Sequence, residues 1–286
     1  MNPNVHQIAI TDHESPRLSG YVADATESVR RAFPDATYRL WSRADGEAFI
    51  EEHFGPEVGW AFRCLRPYAY KGDLLKLCIL HVLGGWYFDV GVRMLQSPAP
   101  LFDVAPPPQL VLFRSTGPMD SPWNCSLAVV YAEAGSSVFT TAIDEVIDNC
   151  RAGRYGATPL SPTMSPFGRA IARHGLELGV RSGVVVDVEG QDYRRAFHIE
   201  PLGLVAARKP GGLAAGAVAA IGIEGGNDYV AMWRDRTVYG WTEPPPGGWT
   251  PARAASAVSN VLPRNRRRLA RLRRAVSRTV ASRRTT

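Results

Sequence analysis

The chain has 286 residues, 45% hydrophobic and 21% charged, with a formal net charge of +6. This is enough for one large domain or two small ones with a real core, and no apolar run reaches the ~20 residues that cross a bilayer; the nearest, 211–223, is short and rich in Gly and Ala. Residues 264–286 hold ten arginines and no acid, so the remainder carries 6 − 10 = −4, which excludes a basic nucleic-acid-binding body.

The four cysteines, Cys64, Cys78, Cys125 and Cys150, are scattered with no C-x-x-C spacing. They argue for neither a disulfide framework nor a zinc site, and a reducing compartment suits them. The N-terminus shows no basic-then-apolar leader. The expected location is cytoplasmic, with a peripheral position at the inner face of a membrane available through the tail.

Residues 5–10 (VHQIAI) form a short apolar run suited to a buried first strand. Residues 19–33 place Tyr21, Val22, Ala25, Val29 and Phe33 at helical spacing, and Pro34-Asp35 stops them. A second strand is predicted at 37–41 (TYRLW), followed by helices at 47–54 and 58–65. The order βαβ and then helices argues for a mostly parallel sheet.

The stretch 70–95, YKGDLLKLCILHVLGGWYFDVGVRML, organises the rest. Between 73 and 83 only Asp73, Lys76 and His81 are not apolar, so the helix is buried nearly all round. Asp73 and Lys76, at i and i+3, share one face. Gly84-Gly85 is a helix stop, and 86–92 reads as a buried strand carrying Asp89. A carboxylate there is costly to bury unless it is paired or binds a metal, and open α/β sheets bind ligands beyond the carboxyl ends of their strands. Asp73 and Lys76 also read as an ordinary ion pair, and Asp89 as a loop cap.

Residues 97–108 form a Pro-rich loop, 109–113 a strand, 123–134 a strand, and 137–150 an amphipathic helix. Further strands are predicted at 183–188 and 196–207. The sequence NDYVAMWRDRTVYG follows at 227–240, and PPPGG at 244–248 marks the end of the compact domain. Beyond Pro263, Leu269, Leu272, Val276 and Val280 recur at steps of three and four among arginines, the pattern of a basic amphipathic helix.

The run A-Y-K-G-D-L-L-K-L-C-I-L-H-V-L-G-G-W-Y-F-D-V-G resembles the signature of the DXD-motif sugar-transferase family. That family includes fungal outer-chain mannosyltransferases, capsular polysaccharide glycosyltransferases and, more distantly, clostridial toxin glucosyltransferases. Asp73, Gly84, Gly85, Tyr87 and Asp89 match its pattern, Lys76 replaces the usual Arg, and Gly91 stands where the second Asp is expected. His6 and Gln7 match the family's opening Ile-His-Gln-x-Trp, with Ala9 in place of the Trp. Asn124 takes the position of an Asn near the donor. Trp233 and Arg234 align with a late loop that closes over it.

The resemblance implies a GT-A-like α/β fold, a nucleotide-binding sandwich around a mixed, mostly parallel sheet at 1–250, with a linker and basic helical tail at 251–286. It implies a retaining glycosyltransferase that moves a sugar from a nucleotide-sugar donor to a glycan, lipid-linked or other acceptor. Asp89 would hold Mn²⁺ or Mg²⁺, and Asp73, Lys76 and Asp89 would be catalytic. His6, Gln7, Asp73, Lys76, Gly85, Tyr87, Asn124, Trp233 and Arg234 would bind the donor. The tail would meet an anionic membrane surface, and no specific nucleic acid is expected. The alternatives are a non-catalytic nucleotide-sugar binder, suggested by Gly91 and Ala9, and a nucleic-acid-binding protein acting through the arginines of 264–286.

Overall fold

A computed structural model describes residues 4–14, 16–115, 125–175, 178–188, 194–208, 223 and 227–248. The expectations for Asn124, for most of 211–223, for the linker from 251 and for the tail lie outside those residues.

The chain opens β1 (Asn4–Ile8), α1 (Gly20–Ala32), β2 (Thr37–Trp41), α2 (Arg43–His53), α3 (Pro56–Cys64) and α4 (Tyr68–Leu83). Then come β3 (Gly85–Phe88), β4 (Val92–Met94), a short 3-10 turn at Ala99–Phe102, β5 (Leu110–Arg114), β6 (Cys125–Ala132) and α5 (Ser137–Ala152). The last described elements are α6 (Met164–His174), β7 (Val180–Asp187), β8 (Arg195–Ile199), β9 (Gly203–Arg208) and α7 (Tyr229–Arg234). No helix among the described residues is long and apolar enough to cross a membrane.

The strands form one mixed sheet in the order β2-β1-β3-β6-β5-β7-β8-β9-β4. Its first three strands are parallel, as the opening βαβ pattern requires. The expectation of a mostly parallel sheet holds only there and for β5 with β7; the other five ladders are antiparallel. Three of these ladders, β5–β6, β7–β8 and β8–β9, pair strands that are consecutive in the chain.

The period-two alternation of strands feeds two cores, one on each face. Tyr87, Leu110, Leu112, Leu127 and Val130 join α2 to α6 on one side. Val5, Trp86, Phe88, Val111 and Phe113 pack with Val29 of α1 on the other. The helix predicted at 73–83 starts earlier, at Tyr68, and is buried as its composition demands.

Two predicted strands are broken. The run 86–92 ends at Phe88 and turns, with the Val92 N–H donating to the Asp89 carbonyl at 2.9 Å. The run 196–207 is the hairpin β8–β9, turned by Glu200-Pro201-Leu202, where Pro has no N–H to give a ladder.

The turn after β3 sets the shape of the sheet. Three residues join Phe88 to Val92, a link that spans at most about 14 Å. Yet β3 lies third in the strand order and β4 last. The sheet therefore curls round until its far edge meets the end of β3. The register pairs Val92 with Arg208, so the end of β9 arrives beside Asp89.

Candidate active site

The site grows from the junction α4–Gly84-Gly85–β3. Gly84 caps α4 at φ 59°, and a Cβ there would lie 2.7 Å from the Ala134 nitrogen. Gly85, at φ 93°, runs so close to β1 that a Cβ would lie 2.3 Å from the Asn4 carbonyl oxygen. Only glycine fits either place, and the tight turn sets α4 against β3 in fixed register. Asp73 and Lys76 on the helix thereby face Tyr87 and Asp89 at the strand's carboxyl end.

Lys76 is the hub, its side chain only 5% exposed. Its Nζ lies 3.1 Å from Asp73 Oδ1 and 3.2 Å from Asp89 Oδ1, and donates to the Leu127 carbonyl at 3.1 Å. The ammonium also sits 4.5 Å from the centre of the Tyr87 ring. The Tyr87 hydroxyl donates to Asp89 Oδ1 at 2.9 Å, and Arg208 Nη1 reaches Asp89 Oδ2 at 3.5 Å. Thr163, in the segment before α6, donates its hydroxyl to Asp73 Oδ2 at 2.7 Å. Gln7 donates to the Asp89 main-chain carbonyl at 3.3 Å and is itself held by the Tyr38 hydroxyl at 2.8 Å.

The charges are set by burial against pairing. Burial pushes the Asp73 carboxyl up, and Lys76 and Thr163 only partly offset it. Burial acts on Asp89 too, but Lys76, Arg208 and the Tyr87 hydroxyl outweigh it and hold that carboxyl below the usual range. Lys76 is raised, because Asp89 and Asp73 together exceed the cost of burying the ammonium. Tyr87 is held well above its ordinary value by burial and by Asp89. The cluster is thus two carboxylates against one ammonium and one guanidinium.

The other predicted site residues lie elsewhere. His6 is 2% exposed; its Nε2 contacts the Gly84 carbonyl at 3.0 Å and its Nδ1 accepts from the Trp41 indole at 3.3 Å. Burial pushes it down to about 4, so it is a neutral core imidazole joining β1, β2 and the end of α4. Gly85 stands at the opposite end of β3 from Asp89. Trp233 packs on the helical core and donates to the Tyr155 carbonyl at 2.8 Å, while Arg234 is exposed. Lys71 turns away from Asp73 toward the Phe62 and Arg63 carbonyls.

Two residues that sequence reasoning missed come to the cluster, Thr163 and Arg208. Neither carries a local motif, since each arrives from a different part of the fold. A separate hollow of about 480 Å³, lined by Phe33, Trp86, Phe102 and Tyr131, touches none of these residues.

A divalent cation at this place needs oxygen lone pairs at about 2.0–2.2 Å and a net negative donor set. Among the described residues no group of three or more His, Cys, Asp or Glu side chains is gathered to hold one. Both Asp89 oxygens already accept from cations or the Tyr87 hydroxyl, and the Lys76 ammonium occupies the bridging position between the two carboxylates. The described residues, as arranged, do not fit a cation.

The mixed α/β sheet gathers its carboxylates past the end of a central strand, in the frame Gly-Gly-x-Tyr-x-Asp, at the place where open α/β sheets bind ligands. Residues 19–107 match the family described as "Glycosyltransferase sugar-binding region containing DXD motif", which takes in Asp73, Lys76, Tyr87 and Asp89 and leaves Gly91 at the second acid. Among solved structures, the PaToxG glycosyltransferase is 13% identical at a TM-score of 0.45, with 60% of this chain and 69% of that one covered. The galactosyltransferase LgtC in complex with donor and acceptor sugar analogs is 13% identical at 0.33, covering 64% and 73%. An active-site mutant of LgtC is 15% identical at 0.35, covering 64% and 72%. Comparison with curated protein sequences gives no match.

Proposed function

We propose that the protein transfers a sugar from a nucleotide-sugar donor to a glycan or lipid-linked acceptor, with the donor held beyond the end of β3. The observation that carries this is the buried Asp73–Lys76–Asp89 cluster with Tyr87, inside the matched sugar-binding region. A costly charged cluster in that place is the mark of a site rather than of a core.

In this reading Asp73 accepts hydrogen bonds from donor hydroxyls. Lys76 holds both acids in place, and Asp89 with Arg208 faces the sugar–phosphate bond. Gln7 acts indirectly, by fixing the main chain at Asp89. Retention of anomeric configuration follows the family resemblance. The family resemblance implies Mn²⁺ or Mg²⁺ as a source of Lewis-acid charge neutralisation, and the described donor set, as arranged, does not hold either.

The test is donor hydrolysis and thermal shift with a panel of nucleotide sugars, since a ligand that binds the folded state raises its stability. Wild-type protein is expected to hydrolyse one donor slowly. Asp73→Asn is expected to keep its fold and lose at least about 100-fold in rate, the scale of one removed transition-state contact. A normal rate in Asp73→Asn would assign Asp73 a structural role only. Donor binding without hydrolysis would favour the non-catalytic binder, a reading that Gly91 supports.

A further inference from the structure

The leaving group of such a transfer is a nucleoside diphosphate, and its developing charge needs a partner. Gly91 offers none: a Cβ there would meet nothing within 4 Å, so the place of a second carboxylate is open space. The two acids that the described residues bring here, Asp73 and Asp89, are neutralised by Lys76 and Arg208.

The two cations are not equivalent. Lys76 is sealed in, its side chain 5% exposed and shared among two carboxylates and a carbonyl. Arg208 is the outward one, its side chain 36% exposed, and it meets Asp89 through one nitrogen at the long distance of 3.5 Å. A guanidinium presents five donors in a planar fork that fits phosphate oxygens two at a time. Arg208 sits at the last position of β9, paired to Val92 of β4 and to Arg195 of β8, so its main chain is fixed over the Asp89 turn.

Resting on the transferase reading, we infer that Arg208 takes the place of the divalent cation: its guanidinium binds the diphosphate of the donor, and transfer proceeds without metal. In the step itself, the bond from the anomeric carbon to the diphosphate oxygen breaks and its electron pair stays on that oxygen. The acceptor hydroxyl oxygen bonds to the same carbon, and its proton passes to the departing diphosphate. Arg208 stabilises the oxygen on which charge develops. Asp89 aims the guanidinium while the site is empty and orients it when the diphosphate arrives.

The experiment is calorimetry with UDP, GDP, ADP, CDP and dTDP on the full chain, in EDTA and in Mn²⁺. At least one nucleotide is expected to bind in EDTA, with an affinity within about twofold of that in Mn²⁺. Arg208→Gln is expected to weaken it about tenfold to a hundredfold, the range of a lost charge-assisted hydrogen bond, and Arg208→Lys to fall between. Gly91→Asp, which supplies the missing acid into open space, is expected to make binding respond to Mn²⁺. Binding that requires Mn²⁺ in the wild-type protein, or that ignores Arg208→Gln, overturns the inference and leaves the transferase reading standing. Failure of every nucleotide in both conditions overturns both.

Discussion

At Lys76 one ammonium group neutralises two buried carboxylates and also satisfies the Leu127 carbonyl. Desolvating three charges is expensive, and the arrangement stands because each charge keeps a partner. Replacing the lysine by an apolar chain of similar length removes the one group that, among the described residues, pairs with both acids. Lys76→Met is therefore expected to destabilise the fold by roughly 3–5 kcal/mol, the cost of leaving buried charge uncompensated, measured as a shift in the urea midpoint. A loss near the ~0.5 kcal/mol of a surface pair would show that water already reaches the cluster. The sequence made Asp73 and Lys76 legible as a shared helix face, since spacing alone puts them there. Thr163 and Arg208 were invisible because the contacts they make with Asp73 and Asp89 join residues 90 and 119 positions apart (163 − 73, 208 − 89).

Among the elements, the junction of α4 with β3 was legible because glycine pairs and apolar runs state their purpose locally. The strand after it was read too long. Asp89 opens a turn, and nothing in WYFDVGV distinguishes a strand that continues from one that ends. The same limit hid the hairpin of β8 and β9. His6 matches a family position from which a donor contact was expected, and the structure places it as a strut between strands and helix cap. Its imidazole stays neutral when folded, near pKa 4, against 6.5 when unfolded. A depressed folded value gives stability that is complete above pH 6.5 and lost as pH falls toward 4. The loss amounts to about 3 kcal/mol. Unfolding free energy measured as pH is lowered across that range is expected to fall more steeply for wild-type protein than for His6→Gln, which cannot titrate. Parallel curves would mean that the ring is protonated in the folded state.

At the scale of the whole molecule, charge is divided along the chain. Residues 1–263 carry −4 and 264–286 carry +10, with leucines and valines spaced for one helical face. The described body holds the site within a curled sheet whose far edge returns to β3, so Arg208 and Asp89 depend on the closure of the entire domain. The tail is separate in composition, and the proposal for it is attachment to an anionic membrane surface, which would bring the transferase to a lipid-linked acceptor. Each Arg near such a surface contributes about 1 kcal/mol, and the attraction fades within a Debye length. Removing everything after Pro263 is expected to leave donor hydrolysis unchanged and to abolish sedimentation with vesicles containing phosphatidylserine. The full chain is expected to sediment at low salt and to release as salt rises. Nucleic-acid binding by the tail predicts retention of DNA with a similar salt slope, so vesicles and DNA are compared at equal ionic strength. Full-length and truncated proteins that sediment equally would refute the membrane proposal. A full chain that keeps DNA but not vesicles would move the tail's partner from lipid to nucleic acid.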